Sequence, residues 1–327
     1  MTTCSIVVPV HNNAALTAQC LDALLASLQG GVGTEIVVVD DASSDSTPQV
    51  LAARADRLRI VRHDRNEGFA AASNAGAAAA TGEWLVFLNN DTVAQPGWLA
   101  PLLRDASGER VGLVGSKLLF PNGTIQHAGV VFARDLSPHH LYAGFPADHP
   151  AVNKSREFQA VTGACAAIRR ALFSKLGGFD PSFVNGYEDV DLCLRLRRLG
   201  YQVRYCHESV LYHFESATRD YALNQRNHEL FLERWSGFVQ QDDVRYFLED
   251  GLLEIVYQEQ FPVLLSVSPH LAVPDRDSAN AGERLLAERS RDVFEALKEN
   301  VRLRVELLEE RQRERAASEG NAAGQTT

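Results

Sequence analysis

Over residues 1–90, short runs in which almost every position is apolar alternate with stretches whose apolar residues recur at helical spacing. Ser5–Val8, Glu35–Val39, Leu58–Arg62 and Glu83–Leu88 are runs of the first kind and predict strands. Asn13–Ser27 predicts a helix, with Leu16, Cys20, Leu24 and Leu28 on one stripe. At Ser46-Thr47-Pro48 a capping residue precedes a proline at the first helical position, so a second helix opens there and runs to about Arg57. Gly68–Ala80, rich in alanine, predicts a third. Strands without polar alternation are buried on both faces, which requires a parallel sheet covered by helices, an α/β fold.

Further along, Val111–Ala133 reads as a hairpin turning at Pro121-Asn122-Gly123. Arg134–Glu157, rich in Pro, His, Gly and Asp, reads as a long binding loop or lid. Phe158–Ile168 predicts one strand, and the Gly177–Pro181 turn leads to a helix over Asp189–Leu199. Val203–Tyr205 and Ser209–Tyr212 predict two short strands, and Arg219–Trp235 a helix. Glu283–Arg315 is a mixed-charge helical stretch with Phe294, Leu297, Val301, Val305 and Leu308 on one stripe. The expected organisation is therefore residues 1–115 and 116–238 as two halves of one domain, a helical extension over 239–315, and a disordered tail over 316–327.

Composition narrows the function. The 327 residues are 45% hydrophobic and 23% charged, as in ordinary globular proteins. Asp and Glu (42) outnumber Lys and Arg (32), a balance opposed to binding nucleic-acid phosphates, so no nucleic-acid partner is expected. The five cysteines form no C-x-x-C pair and read as buried thiols of a reducing compartment. No basic n-region opens the chain and no apolar run has the length of a membrane span, so a cytoplasmic location is expected.

Each strand of the first half ends in polar residues: Pro9-Val10-His11-Asn12, Asp40-Asp41, His63–Asn66 and Asn89-Asn90-Asp91. In parallel sheets ligands bind beyond these carboxyl ends. Asp40 or Asp41 could accept hydrogen bonds from a nucleobase N–H or a ribose hydroxyl, or could merely cap a turn. Glu188, Asp189 and Asp191 open a helix; they could supply a general base or only complement the helix dipole. The first strand is not followed by G-x-G-x-x-G, and there is no P-loop, so dehydrogenase and P-loop readings fail.

In order and content, Ser5–Asn12, Val38–Thr47, Phe87–Thr92 and Gly186–Arg195 resemble segments of the family 2 glycosyltransferases, inverting enzymes of the GT-A fold. Asn66-Glu67-Gly68 with Asn74, Val161–Cys165, Gly177–Asp180 and Tyr212–Ser216 are similar to the same family, over Ser5–Trp235 in all. The subset resembled most closely makes bacterial surface polysaccharides, rhamnosyltransferases included. Nothing after about Val239 resembles the family, and the C-terminal helical extension is expected from the pattern of Glu283–Arg315 alone. The resemblance implies a Rossmann-like, mostly parallel sheet flanked by helices. It implies a nucleotide-diphosphate-sugar donor held by Pro9, His11, Asn12, Asp40, Asp41, Asn66, Gly68, Asn74, Asn89 and Asn90, with Asp41 on the base. Asn89-Asn90-Asp91 stands where the family has D-x-D, leaving Asp91 as its carboxylate; with His213 it would hold Mg2+ or Mn2+. Asp189 would be the general base and Glu188 a supporting contact. The acceptor would be a saccharide or lipid-linked saccharide, with peripheral membrane association and a homodimer through the C-terminal helix as open expectations. An inactive carbohydrate- or nucleotide-sugar-binding protein of the same fold is the alternative that Asn89 raises.

Overall fold

A computed structural model describes residues 3–28, 33–214, 221–256 and 264–272. The chain divides into two compact units, Met1–Tyr246 and Phe247–Thr327. The first half of unit 1 contains β1 (Cys4–Val10), α1 (Ala14–Ser27), β2 (Thr34–Asp40), α2 (Thr47–Ala52), β3 (Arg59–Arg62), α3 (Phe69–Ala79), β4 (Trp84–Leu88), β5 (Thr92–Ala94) and α4 (Leu99–Ala106). The rest contains β6 (Val111–Leu119), β7 (Ile125–His127), β8 (Val130–Phe132), β9 (Pro138–His140), β10 (Arg156–Phe158), β11 (Cys165–Arg169), α5 (Arg170–Lys175), α6 (Glu188–Arg198), β12 (Gln202–His213) and α7 (Tyr221–Trp235).

One sheet carries the unit, in the order β10-β12-β6-β11-β4-β1-β2-β3, with β5 added beside β12 and β7 beside β6. β4, β1, β2 and β3 are parallel, as expected from their unbroken apolar runs. β11 lies antiparallel between β4 and β6, so the sheet is mixed rather than wholly parallel. Every residue of β1 is buried. Alternation along the strand divides that burial between two faces: Ile6, Val8 and Val10 share a core with Leu21 and Leu24 of α1, Leu51 of α2 and Leu102 of α4. On the other face Val7 and Val39 meet α3 so closely that a Cβ on Gly76 would lie 2.3 Å from Val7 Cγ1. Each such fully buried Val or Leu stabilises the fold by about 1.5–3 kcal/mol.

Several expectations are corrected. The strand expected over 158–168 is two strands, β10 and β11, because the Thr162–Ala164 turn breaks it. The two strands expected near 203–212 are one, β12, whose register with β6 shifts between Cys206 and Val210. Within the supposed long loop lie β9, a 3-10 turn at Pro150–Val152 and the start of β10. Helix α2 stops at Ala52, and Ser46 at its N-cap makes no side-chain cap bond; instead Thr47 N–H donates to Asp45 Oδ1 (2.9 Å). The other oxygen of Asp45 accepts from Ala14 N–H, so one carboxylate serves the first turns of α1 and α2.

A short helix, α8 (Asp243–Glu249), crosses the boundary between the units. Unit 2, where described, holds an antiparallel pair, β13 (Leu253–Val256) and β14 (Leu264–Val267), so the extension expected to be helical contains strands. The helix expected over 283–315 and the tail 316–327 lie outside the described residues. Among the described residues no helix is long and apolar enough to cross a membrane. All five cysteines are buried and free, and desolvation pushes the thiols of Cys4, Cys20 and Cys165 up to about 12.

Candidate active site

The loop between β1 and α1 carries two consecutive left-handed residues, Asn12 and Asn13, both at φ 60°. Asparagine tolerates this region better than most residues, and the amide of Asn12 supports it by accepting from Ser44 N–H (2.8 Å), while Ser43 Oγ receives Asn12 N–H. Pro9 is buried inside β1. His11 is exposed; its Nδ1–H donates to the Asp41 carbonyl (2.7 Å), leaving Nε2 to accept from the Asn12 amide. The loops after β1 and β2 therefore form one hydrogen-bonded rim.

Asp40 and Asp41, both buried, turn out to organise that rim from beneath. Asp40 accepts from Ser43 N–H and pairs with the half-exposed Arg62 guanidinium. Asp41 accepts from His63 Nδ1–H (2.8 Å), Glu67 N–H and Gly68 N–H (2.8 Å). Asn66 closes the same turn onto Gly68 N–H, whose φ is +85°. The amide of Asn74 is engaged at both ends on the backbone of Phe179, donating to its carbonyl (2.8 Å) and accepting from its N–H (2.9 Å). Gly178, at φ +79°, is required there, since a Cβ would lie 2.4 Å from Asn74 Oδ1. Asn90 donates to Thr17 Oγ1 of α1. Asn74 and Asn90 thus hold elements in place.

At the carboxyl end of β4, Asp91 Oδ1 lies 3.1 Å from His213 Nε2, both side chains 11% exposed. His213 ends β12 opposite Thr92 of β5, and Phe214 N–H donates to the Asp91 carbonyl, which fixes the two residues side by side. His213 Nδ1 is 2.6 Å from Gln126 Oε1. An amide oxygen only accepts, so Nδ1 carries a proton, and Nε2 is the ring nitrogen turned toward Asp91. Asn89 approaches from the third side, its Nδ2 3.4 Å from Nε2 and its buried Oδ1 without a hydrogen-bond partner. His127, beside Gln126, is buried with neither ring nitrogen hydrogen-bonded, and burial holds its pKa well below the usual value, so it adds no positive charge here.

The second carboxylate pair stands at the start of α6. Asp189 Oδ2 accepts from Gly163 N–H (2.8 Å) and Oδ1 from Val190 N–H (2.8 Å). Ala164, next to Gly163, accepts from Asn89 N–H (2.9 Å). A continuous path of bonds therefore runs from Asp189 through Gly163-Ala164 to Asn89 and the Asp91–His213 pair, so both carboxylates border the same sheet edge. Glu188 is buried, its Oε2 accepting from Gly186 N–H, and burial followed by the charge of Asp189 pushes its pKa up to about 8. Asp191 faces away, pairing with Arg195 (2.7 Å) and accepting from the indole of Trp235.

Sequence reasoning missed two supports. Gln126 gave no signal, being a single amide inside a hairpin. Asn227 of α7 is 2% exposed; it accepts from Val184 N–H and donates to the carbonyls of Val184 and Gly186, fixing the approach to α6, where Asn185 and Tyr187 have positive φ. Such strained backbone persists where surroundings over-determine it.

Comparison with known proteins gives a match to the model of glycosyl transferase family 2 over residues 5–177. The chain is 37% identical over 223 residues to O-antigen biosynthesis protein RfbC of Myxococcus xanthus, covering 66% of this chain and 17% of that protein. It is 28% identical over 256 residues to an N-acetylglucosaminyl-diphospho-decaprenol L-rhamnosyltransferase of Mycobacterium tuberculosis, covering 67% of this chain and 81% of that one. Against several curated relatives the chain spans only 17–40% of the relative's length. The crystal structure of GalNAc-T7 with UDP, GalNAc and Mn2+ shares the fold, with a TM-score of 0.60 at 19% identity over 72% of this chain and 48% of that one.

Proposed function

The chain belongs to glycosyl transferase family 2, and from that premise we propose that it moves a sugar from a nucleotide-diphosphate sugar to an acceptor hydroxyl with inversion, in bacterial cell-surface polysaccharide synthesis. The observation that carries this reading is the bonded path joining the Asp91–His213 pair to Asp189 at one sheet edge.

The rim of His11, Asn12 and the Asp41-anchored turn would hold the nucleoside, with Asp41 shaping the turn through the hydrogen bonds it accepts from Glu67 and Gly68 N–H. A divalent ion, Mn2+ or Mg2+, fits the far side of the rim. Asp91 Oδ1 and His213 Nε2 converge there, and Asn89 carries a buried oxygen without a hydrogen-bond partner. Among the described residues no three His, Cys, Asp or Glu side chains cluster, so diphosphate oxygens would complete the shell. When bound, such an ion stabilises charge on the departing diphosphate. Asp189 takes the acceptor proton as its oxygen attacks the anomeric carbon from the face opposite the diphosphate. Burial favours the neutral form of Glu188, whose pKa is pushed up to about 8, and the proton-accepting role is assigned to Asp189.

The acceptor is a saccharide or lipid-linked saccharide; the name of the M. tuberculosis relative, with a prenyl-diphosphate sugar as its acceptor, supports the second. Such an acceptor would bring a cytoplasmic protein to the inner face of the membrane. Asn89 in place of a carboxylate favours one other reading, a binding protein without turnover. A panel of nucleotide sugars, screened with Mn2+ for protection against heat and then for release of nucleoside diphosphate, tests both. Protection without release supports the binding protein, and no protection by any donor refutes both.

A further inference from the structure

We propose that Gln126 is a positioning residue for the cation site, holding His213 as the Nδ1–H tautomer so that its Nε2 lone pair faces Asp91. The inference rests on the cation reading above and assigns it a supporting residue.

Gln126 is a buried polar side chain, 3% exposed, placed by a local irregularity of the sheet. In the β6–β7 pairing Leu118 opposes His127 and Leu119 opposes Ile125, so Gln126 is the extra residue of a bulge. Bulges re-aim a side chain that regular pairing would point elsewhere. Its own backbone is anchored, because its carbonyl accepts from His140 Nδ1 (2.9 Å) of β9. The side chain reaches His213 Nδ1 at 2.6 Å. On the opposite edge of the same ring, Nε2 stands 3.1 Å from Asp91 Oδ1. At that separation Nε2 and the carboxylate oxygen can share a proton or, with Nε2 bare, a cation. Gln126, by engaging Nδ1, leaves Nε2 as the ring nitrogen that can bind a cation there. A leucine would fill the same volume without burying an amide, whose desolvation is costly unless its hydrogen bonds are made.

The test uses the full chain. With imidazole-15N labelling at about pH 8 and no metal, the His213 signal, identified by its loss in His213→Ala, should show a protonated Nδ1 and a bare Nε2. Gln126→Leu should shift it toward the Nε2–H form. Mn2+ titrated by electron paramagnetic resonance, with nucleoside diphosphate present, should bind Gln126→Leu roughly 10–100-fold more weakly, the usual cost of removing a ligand's hydrogen-bond partner. Gln126→Glu keeps an acceptor at Nδ1 and should bind within about threefold of the parent, as carboxylate–histidine–metal triads do. The assignment is overturned if Gln126→Leu keeps the parent's tautomer and Mn2+ affinity, or if both variants lose binding equally, which would make Gln126 only a packing residue. A parent that takes up no Mn2+ would refute the cation reading itself, and this proposal with it.

Discussion

Replacing Asp189 by asparagine changes one oxygen for an amide group and almost no volume, and the structure separates its two consequences. Both carboxylate oxygens are in use, one on Gly163 N–H and one on Val190 N–H, each at 2.8 Å. Asparagine has a single oxygen, so one backbone N–H must face an amide NH2 group. Gly163 is buried, and an unsatisfied buried donor costs about 1–3 kcal/mol. At about 2–4 °C per kcal/mol for a domain of this size, the melting temperature should drop by several degrees while the protein stays folded at 25 °C. Turnover should fall far more, by roughly a hundred- to ten-thousand-fold, because the group that receives the acceptor proton is gone. Donor binding should hold, since Asp189 acts on the acceptor. Calorimetric titration of donor with Mn2+, a thermal scan and a discharge assay on one preparation measure all three. Glu188→Gln is the control: glutamine mimics the neutral form that burial favours and should cost less turnover. The reasoning is refuted if Asp189→Asn loses donor binding, or if Glu188→Gln proves the more damaging change.

Asp91→Asn should weaken donor binding and lower turnover by several orders of magnitude, whereas His213→Ala should raise the metal concentration for half-saturation; full activity in excess chelator would contradict both. Folded Glu188 keeps a proton between its ordinary value of 4.5 and about 8 that the unfolded chain has released, so the parent loses stability as pH rises through that window. Glu188→Gln escapes this loss and should gain on the parent between about pH 5 and pH 8, by up to a few kcal/mol in urea unfolding; parallel curves would exclude it. Asn227→Leu removes three bonds to residues 184–186 and should destabilise by about 1–3 kcal/mol or more and lower turnover, with metal affinity unchanged in the same titration.

The parallel half of the fold was legible because β1, β2 and β4 are apolar runs buried on both faces and the helices are punctuated by Asn, Gly and Pro, although β3, at the sheet edge, is largely exposed. What escaped depends on contacts between distant residues. The break between β10 and β11 rests on the Thr162–Ala164 turn inside a stretch read as one strand, and the carboxylate that bonds the first turn of α2, Asp45, lies just outside the Ser46-Thr47-Pro48 signal. The site followed the same rule. Asp91, His213 and Asp189 stood out because their residue types imply chemistry and their neighbours resemble a family. Asp41 was expected to touch a ligand directly, yet its oxygens are bound to three groups of its own chain, something only the folded loops reveal. Gln126 and Asn227 act through single amides, and an amide in a sequence carries no such implication.

The central claim is that this sheet edge inverts a glycosyl donor, with Asp189 receiving the acceptor proton. Once a donor has been found by thermal protection, proton NMR of the anomeric signals during its turnover, with Mn2+ and an acceptor or water alone, tests that claim most directly. The account predicts a first-formed product of inverted anomeric configuration, absent with Asp189→Asn. A product that retains the donor's configuration, or turnover that survives Asp189→Asn undiminished, would contradict it.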